Sequence, residues 1–473
     1  MTWHIPLSDL DYGPEEAAAV QRVLQSKWLS MGPETEAFEK EFATFIGTKH
    51  AIAVSNGTAA LHLAYLALGL GPGDAVIQPA VNFVAAANMT QAVGAKPVFA
   101  DVSSLDEPTI SPESISHLLS SISSPASAPR PRAVVVMHYG GYLCRMEELR
   151  SLCQKHGLAL IEDACHAVGA RYYEGLQDYE TTRLQENETT GPRDNGTTGL
   201  PSDLRPLTPG PSSSSSVVRG RVLAAGSLGD IGCFSFFSNK NLVTGEGGMV
   251  TTNRDDIADK VRNLRSHGMS TLTWDRHRGH AATYDVLAHG YNYRLDDLRS
   301  ALGREQLKKL ERNNQRRREF TARYWEKLVP LEQRGWTLPF KRQVLGDGRS
   351  EMEDKDSASQ LPTPISQLSP KAVAQLPSPN FNLPSSCAAH LMAVVAPDPA
   401  TRWRCAEALK VAGIQTSLHY PFIPSFTAFR GSGEEGALPN SAEFCQRVIT
   451  LPLYPTMTEK QVETVCKVLT SDL

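Results

Sequence analysis

The chain has 473 residues, 41% of them hydrophobic and 21% charged, with a formal net charge of −4. That size allows two or three domains around a sizeable core, and the interspersed charges give no basic footprint for nucleic acid. No stretch reaches the roughly 18 unbroken apolar residues of a membrane helix. The start, MTWHIPLSDLDYGPEE, has neither the basic nor the apolar region of a secretory signal.

Eight cysteines (144, 153, 165, 233, 387, 405, 445 and 466) form no CxxC pair. Scattered this way they predict free thiols in a reducing compartment, hence a cytoplasmic protein, rather than a disulfide frame or a zinc site.

Residues 14–27 and 34–46 have the spacing of two amphipathic helices joined by a turn at Trp28–Gly32. A short apolar strand, Ala51–Val54, leads at once into Ser55-Asn56-Gly57-Thr58 and the helical run AALHLAYLALGL. A strand, a small-residue turn and a helix N-terminus make an anion site, to which Thr58 adds a hydroxyl donor. Plain helix capping by Ser55, Asn56 or Thr58 is the alternative.

Further short strands follow at Ala75–Gln78, Pro97–Ala100, Ala133–Met137 and Leu158–Ile161, separated by helices. This alternation predicts an α/β domain with a mostly parallel sheet covered on both faces. Ligands in such sheets sit beyond the carboxyl ends of strands. Ser55–Thr58, Phe83, His138 and Asp163 all fall at such ends. In Glu162-Asp163-Ala164-Cys165-His166, a carboxylate at a strand end can hold a protonated ring nitrogen; equally, Asp163 can cap the next turn and His166 can pack in the core.

Residues 175–222, with five serines at 212–216, and residues 341–380 are poor in aromatics and rich in polar and turn residues. With a shorter Ser/Pro stretch at 119–131, they read as surface insertions without chemistry of their own.

The segment Gly232–Gly248, GCFSFFSNKNLVTGEGG, places Lys240 between an aromatic run (Cys233–Phe237) and Gly245, Gly247 and Gly248. An amine beside apolar surface is less stable when charged, so its pKa falls and it can attack carbonyls near neutral pH. The glycines let the backbone lie close to a flat ligand. A Schiff-base lysine fits this pattern, and so does a buried strand followed by a surface lysine and a turn. Next come a helix at Ile257–Arg265, the motif GYNYRLDD, and a long helix at 297–329 with an apolar face of Leu298, Ala301, Leu302, Leu307 and Leu310. Residues 381–473 read as a smaller α+β domain, with strands at Leu391–Val395 and Thr416–His419 and helices at 401–412 and 458–470.

From about Leu29 to the C-terminus, the insertions apart, the ordered motifs SNGTAALHLA, LIEDACHAVGA, GCFSFFSNKNLVTGEGG, GYNYRLDDLRSALGREQL, LHYPFIP and LPLYPTMTEKQV resemble the DegT/DnrJ/EryC1/StrS family. Members of that family are sugar aminotransferases of the fold-type-I pyridoxal phosphate superfamily. The resemblance implies an N-terminal segment (1–28), a large α/β domain with a mostly parallel seven-stranded sheet (29–300) and a small C-terminal α+β domain (301–473). By position, Lys240 looks like the lysine that carries pyridoxal 5′-phosphate as an internal aldimine and shuttles the proton. Asp163 looks like the partner of the pyridinium nitrogen, and His166 lies where a side chain approaches the ring oxygen. Phe83 looks like the aromatic that stacks on the cofactor ring. Gly57, Thr58 and Ser235 look like phosphate ligands, with Ala59 adding a backbone N–H. Asn292 matches an asparagine that reaches the phosphate of the neighbouring subunit, which implies a homodimer.

The implied reaction is ping-pong transfer of an amino group from a small-molecule donor, usually L-glutamate, to a nucleotide-linked 4-keto-6-deoxy or 3-keto sugar. The related deoxysugar 3-dehydratases carry histidine in place of the lysine, so Lys240 favours transamination. Three departures from the common pattern stand out: Asn82 for threonine, Ser238 for the proline before the lysine, and MHYGGYLCRM for HLYGQ near the acceptor side. A keto-cyclitol acceptor or ring aromatisation is the alternative outcome. A non-catalytic regulator of the same fold is disfavoured by the intact Lys240, Asp163 and Thr58. No metal, nucleic acid or membrane partner is expected.

Overall fold

Proline at the first turn and a left-handed residue just past the last bound both opening helices of the computed structural model, which describes residues 3–121, 129–174, 221–271, 283–345, 385–431 and 435–471. Helix α1 (Pro14–Ser26) ends at Lys27 (φ 61°), and α2 (Pro33–Ile46) ends at Gly47 (φ 82°). A proline N–H would be unbonded at a first turn anyway, so its absence costs nothing there. The buried stripe of α2, Phe38, Phe42 and Ile46, faces the sheet, with the Phe42 and Phe234 ring centroids 5.1 Å apart.

The chain then alternates strand and helix: β1 (His50–Val54), α3 (Gly57–Ala67), β2 (Asp74–Pro79), α4 (Ala85–Ala92), β3 (Lys96–Ala100), α5 (Pro112–Ser121), β4 (Arg130–Met137), α6 (Met146–His156) and β5 (Ala159–Asp163). After the short β6 (Arg171–Glu174) and β7 (Arg221–Ala224), the strands β8 (Ile231–Ser235) and β9 (Gly248–Thr252) complete a seven-stranded sheet in the order β1-β9-β8-β5-β4-β2-β3. Only β9 runs against the others. The strands are buried almost throughout, as a parallel sheet with both faces covered requires. This is the α/β architecture that the sequence predicts.

Helix α7 (Asp255–Leu264) covers the β1/β9 edge, and the 36-residue α8 (Asp297–Glu332) joins two hydrophobic cores. Its first half sets Ala301 and Leu310 against the α1, α2 and β8–β9 side, and Gly303 lies so close to Phe38 that a Cβ would sit 2.6 Å from the ring. Its second half sends Phe320, Tyr324, Trp325, Leu328 and Leu331 into the other core. Buried Leu328 and Leu331 hold the last turn helical through Pro330, so the helix outruns its expected end at 329.

Beyond α9 (Lys341–Leu345) and β10 (Ser385–Ser386), β11 (Met392–Val395), α10 (Pro399–Val411), α11 (Pro439–Arg447), β12 (Val448–Leu451) and α12 (Glu459–Thr470) build the second core. β11 pairs antiparallel with β12, and the strand expected at Thr416–His419 does not form. There Ser417 makes a single bridge to Thr450, and the following Pro421 and Pro424 deny a continuing strand its N–H donors. The N-terminal residues are tied to this core: Ile5 bridges Ile414, and Leu453 N–H donates to Leu7 O at 3.2 Å.

The expected insertions are trimmed at their edges. Residues 175–220, 346–384 and 122–128 lie outside the described residues, but Arg221–Val222 opens β7, Lys341–Leu345 is helical, and Leu119–Ser121 and Arg130–Pro131 belong to α5 and β4. Strand pairing draws these edges in: β7 pairs with β6, β6 with β10, and Arg130 with Asp74 of β2. None of the eight cysteines is paired. Among the described residues, no helix is long and apolar enough to cross a membrane, and no cluster of three or more His, Cys, Asp or Glu side chains could hold a metal ion.

Candidate active site

Strand register gathers the expected residues at one end of the sheet. Val54 of β1 and Ser235 of β8 both pair with Gly248, which brings the start of α3 against the end of β8. The fit there is close: a Cβ on Gly57 would sit 2.9 Å from the Ser235 Cβ and 3.1 Å from the Cys165 Sγ. Asn56 caps α3, its Oδ1 accepting the Ala59 N–H at 2.8 Å. The Ala59 donor is thus engaged within the chain, against the expectation that it binds phosphate. The N–H groups of Gly57 and Thr58 have no acceptor among the described residues and stand, with the helix dipole behind them, as a site for an anion. Ser235 is half-exposed beside them, its Oγ accepting weakly from Phe237 N–H at 3.4 Å.

Asp163 ends β5 and is only 4% exposed. Its Oδ1 accepts from Cys165 N–H at 3.2 Å, and no cation lies within ion-pair distance among the described residues. A carboxylate this buried needs a positive or hydrogen-bonding partner. The preceding residue is the opposite case. Glu162, fully buried, accepts from the N–H groups of Gly226, Leu228 and Gly229 at 2.6–2.8 Å and from His138 Nε2 at 2.9 Å. Because His138 Nδ1 accepts from Cys144 N–H, Nε2 carries the proton. Glu162 therefore locks the strand end that presents Asp163.

Lys240 follows β8 in the turn before Gly245. Burial lowers the pKa of its ammonium, while Cys165 and Asp163 pull it the other way. His166 is buried and neutral, its pKa held well below the usual value by burial first and then by Lys240, His390 and His419. Its Nε2 lies 2.8 Å from the Tyr420 hydroxyl, and its buried Nδ1 has no partner. The Phe83 ring is 53% exposed and lies 5.9 Å between centroids from Tyr420, tilted by 53°. Asn292 is exposed. Its neighbour Tyr293 accepts Ser55 N–H through its carbonyl at 2.8 Å, so the GYNYR segment runs beside the start of α3.

The structure adds residues to which sequence reasoning gave no role. His419 and Tyr420 come from the LHYPFIP motif, which identified the segment but not the side chains that face inward. Asn241 and His390 are bonded at 2.7 Å across 149 residues, a pairing with no local sequence signal. A cavity of about 290 Å³ lined by Glu107, Tyr142, Arg145 and Gln343 contains none of the expected site residues.

Together these groups suit a flat aromatic aldehyde that bears an anionic group and a basic ring nitrogen. Two free N–H donors await the anion, an unpaired buried carboxylate the ring nitrogen, an exposed aromatic side chain the ring, and an amine the aldehyde.

Comparison with known proteins agrees. The model of the DegT/DnrJ/EryC1/StrS aminotransferase family matches residues 11–344 and 354–470. The chain is 33% identical over 459 residues to the spore coat polysaccharide biosynthesis protein SpsC of Bacillus subtilis, covering 96% of this chain and 93% of that one. Among solved structures it is similar to S. venezuelae DesV, captured in complex with a ketimine intermediate (27% identity, TM-score 0.71, covering 99% and 98%). It is also similar to the aminotransferase TlmJ from Streptoalloteichus hindustanus (26%, 0.71, 99% and 98%). The protein is a pyridoxal phosphate-dependent transaminase, and the chain belongs to the DegT/DnrJ/EryC1/StrS aminotransferase family.

Proposed function

We propose that the protein transfers an amino group from L-glutamate to a nucleotide-linked keto sugar, of the 4-keto-6-deoxy or 3-keto type. The observation that carries this reading is the convergence of the Lys240 amine, the unpaired Asp163 carboxylate and the free Gly57 and Thr58 N–H groups at one sheet end. A sugar acceptor is supported by the 33% identical relative named for spore coat polysaccharide biosynthesis.

When bound, pyridoxal phosphate supplies an aldehyde that takes up the amine and a ring that accepts electrons from the substrate carbon. The chain's own groups do the rest. Gly57, Thr58 and Ser235 hold the phosphate, and Phe83 covers one face of the ring. Asp163 would keep a proton on the ring nitrogen, and His166 would lie near the ring oxygen. Lys240 Nζ, whose charged form burial disfavours, would take the α-proton and pass it to the carbon that had carried the aldehyde oxygen. A homodimer supplies Asn292 of each subunit to the neighbouring site. Eight unpaired cysteines favour the cytoplasm as the place of action.

The test is a panel of keto acceptors offered with L-glutamate to the purified enzyme, with 2-oxoglutarate and aminated product quantified. Stoichiometric amination of a nucleotide-linked keto sugar is expected. Turnover of keto-cyclitols alone, or of no acceptor while glutamate is still deaminated once, would remove the sugar assignment.

A further inference from the structure

Asn239, the residue before Lys240, lines a cavity of about 10 Å³ together with Leu7, Ser8, His390, His419 and Thr450, among others, and both of these histidines feel the Lys240 charge. Such a volume is the room one water molecule needs. Two polar atoms of its wall are buried without a partner: Asn239 Oδ1 and His390 Nε2.

Hydrogen bonds fix what His390 Nε2 can do. Asn241 Nδ2 donates both its protons, to Ala388 O and Asn314 Oδ1, each at 2.7 Å. The backbone carbonyl can only accept, so the orientation of the amide is set and Asn241 Oδ1 must accept from His390 Nδ1 at 2.7 Å. His390 Nε2 is therefore a bare lone pair, in a side chain only 3% exposed. His419 is engaged on its own side, with Nδ1 3.0 Å from Thr450 Oγ1. Two acceptors facing one water-sized space call for a donor of two protons.

We propose that this cavity holds one ordered water, which donates to Asn239 Oδ1 and His390 Nε2 and turns its lone pairs toward the Lys240 amine, with Asn241 and His390 as positioning residues. The proposal rests on the reading of Lys240 as the reactive amine. With both protons committed, the water accepts a hydrogen bond from the Lys240 ammonium and so favours its charged form. The other charged or titratable groups close enough to feel this amine are Asp163 and Cys165 from the sheet, His166, and His419, which lines the cavity. Burial and the Lys240 charge keep the three histidines neutral, so the water links His390 to the amine without a proton exchanged between them.

The test needs no cofactor. A high-resolution crystal structure of the cofactor-free enzyme shows the water bonded to both acceptors. The pH dependence of cyanate labelling at Lys240, followed by peptide mass spectrometry, then reports the amine's protonation. His390→Asn keeps a donor toward Asn241 but removes the Nε2 acceptor. It lowers the labelling midpoint by about half to one pH unit, and Asn239→Ala does the same. His390→Gln, whose longer amide reaches the Nε2 position, restores the wild-type midpoint. In the loaded enzyme, His390→Asn lowers kcat about tenfold with the KM for L-glutamate unchanged. An empty cavity, a direct bond from the Asn239 amide to His390, or a labelling midpoint unmoved in both His390→Asn and Asn239→Ala overturns the proposal. If Lys240 labels normally in the wild type but the enzyme never takes up the cofactor, the functional reading fails instead.

Discussion

His138 Nε2 lies 2.9 Å from Glu162 Oε2, both side chains fully buried, at the end of the strand that presents Asp163. Glu162 accepts four hydrogen bonds with its two oxygens, three of them from the N–H groups of Gly226, Leu228 and Gly229. Glu162→Gln sets an amide N–H against at least one of these donors. Leaving a buried donor unsatisfied costs about 1–3 kcal/mol. We expect a stability loss of that size in denaturant titration, together with weaker cofactor binding as Asp163 shifts. An unchanged midpoint would show that the loop is held by something else.

The start of α3 gives a second prediction. Gly57→Ala puts a methyl group 2.9 Å from the Ser235 Cβ and 3.1 Å from the Cys165 Sγ, so either α3 or the end of β8 must move. Because these are the two expected edges of the phosphate site, cofactor affinity should fall at least about tenfold, equal to about 1.4 kcal/mol. A spectroscopic titration with pyridoxal phosphate measures it. Thr58→Val, which removes only the hydroxyl donor, should cost less.

Asp297 ties α8 to the start of α2. Its carboxylate accepts from the N–H groups of Gly32, Glu34 and Thr35 and from the Thr35 hydroxyl, at 2.7–3.2 Å. Gly32 has no side chain with which to cap its own helix, so the cap comes from 265 residues away. Asp297→Ala should therefore destabilise the fold by about 1–2 kcal/mol, the usual value of a lost N-cap. Thermal unfolding checks it. Activity per folded molecule should change little.

His419 predicts a pH dependence of stability. Burial, and then the Lys240 charge, push its pKa down to about 4, below the 6.5 of a free imidazole. Between those values the unfolded chain binds the extra proton, so stability is full above about pH 6.5 and is lost as pH falls toward about 4. The loss from this residue is on the order of 3 kcal/mol. Replacing His419 with Gln should flatten that part of the stability–pH curve. His166 and His390 shift in the same direction, so a residual slope should remain.

The sheet and the residues at its strand ends were legible in the sequence because they are local. A five-residue apolar run between helices states its own strand, and SNGT at a strand–helix junction states its own turn. Asp163 and Phe83 stand out by their places after strands, while the roles proposed for them and for Lys240 come from the family resemblance. What escaped depends on chain segments that meet only after folding. Asn56 is one of three candidate caps for α3, and folding selects it, whereas nothing near His390 in the sequence points to Asn241. The strand expected at Thr416–His419 shrinks to one bridge between Ser417 and Thr450 of β12, because Pro421 and Pro424 withhold the N–H donors that would extend it.

The most direct test of the account is the absorption spectrum of the purified enzyme with pyridoxal phosphate, before and after L-glutamate, for wild type and Lys240→Ala. The account predicts a near-visible band in the wild type that borohydride fixes to Lys240 and that glutamate converts to the pyridoxamine form. Lys240→Ala should bind the cofactor without forming that borohydride-fixed link. A wild-type spectrum identical to that of Lys240→Ala would contradict the assignment of Lys240 as the reactive amine.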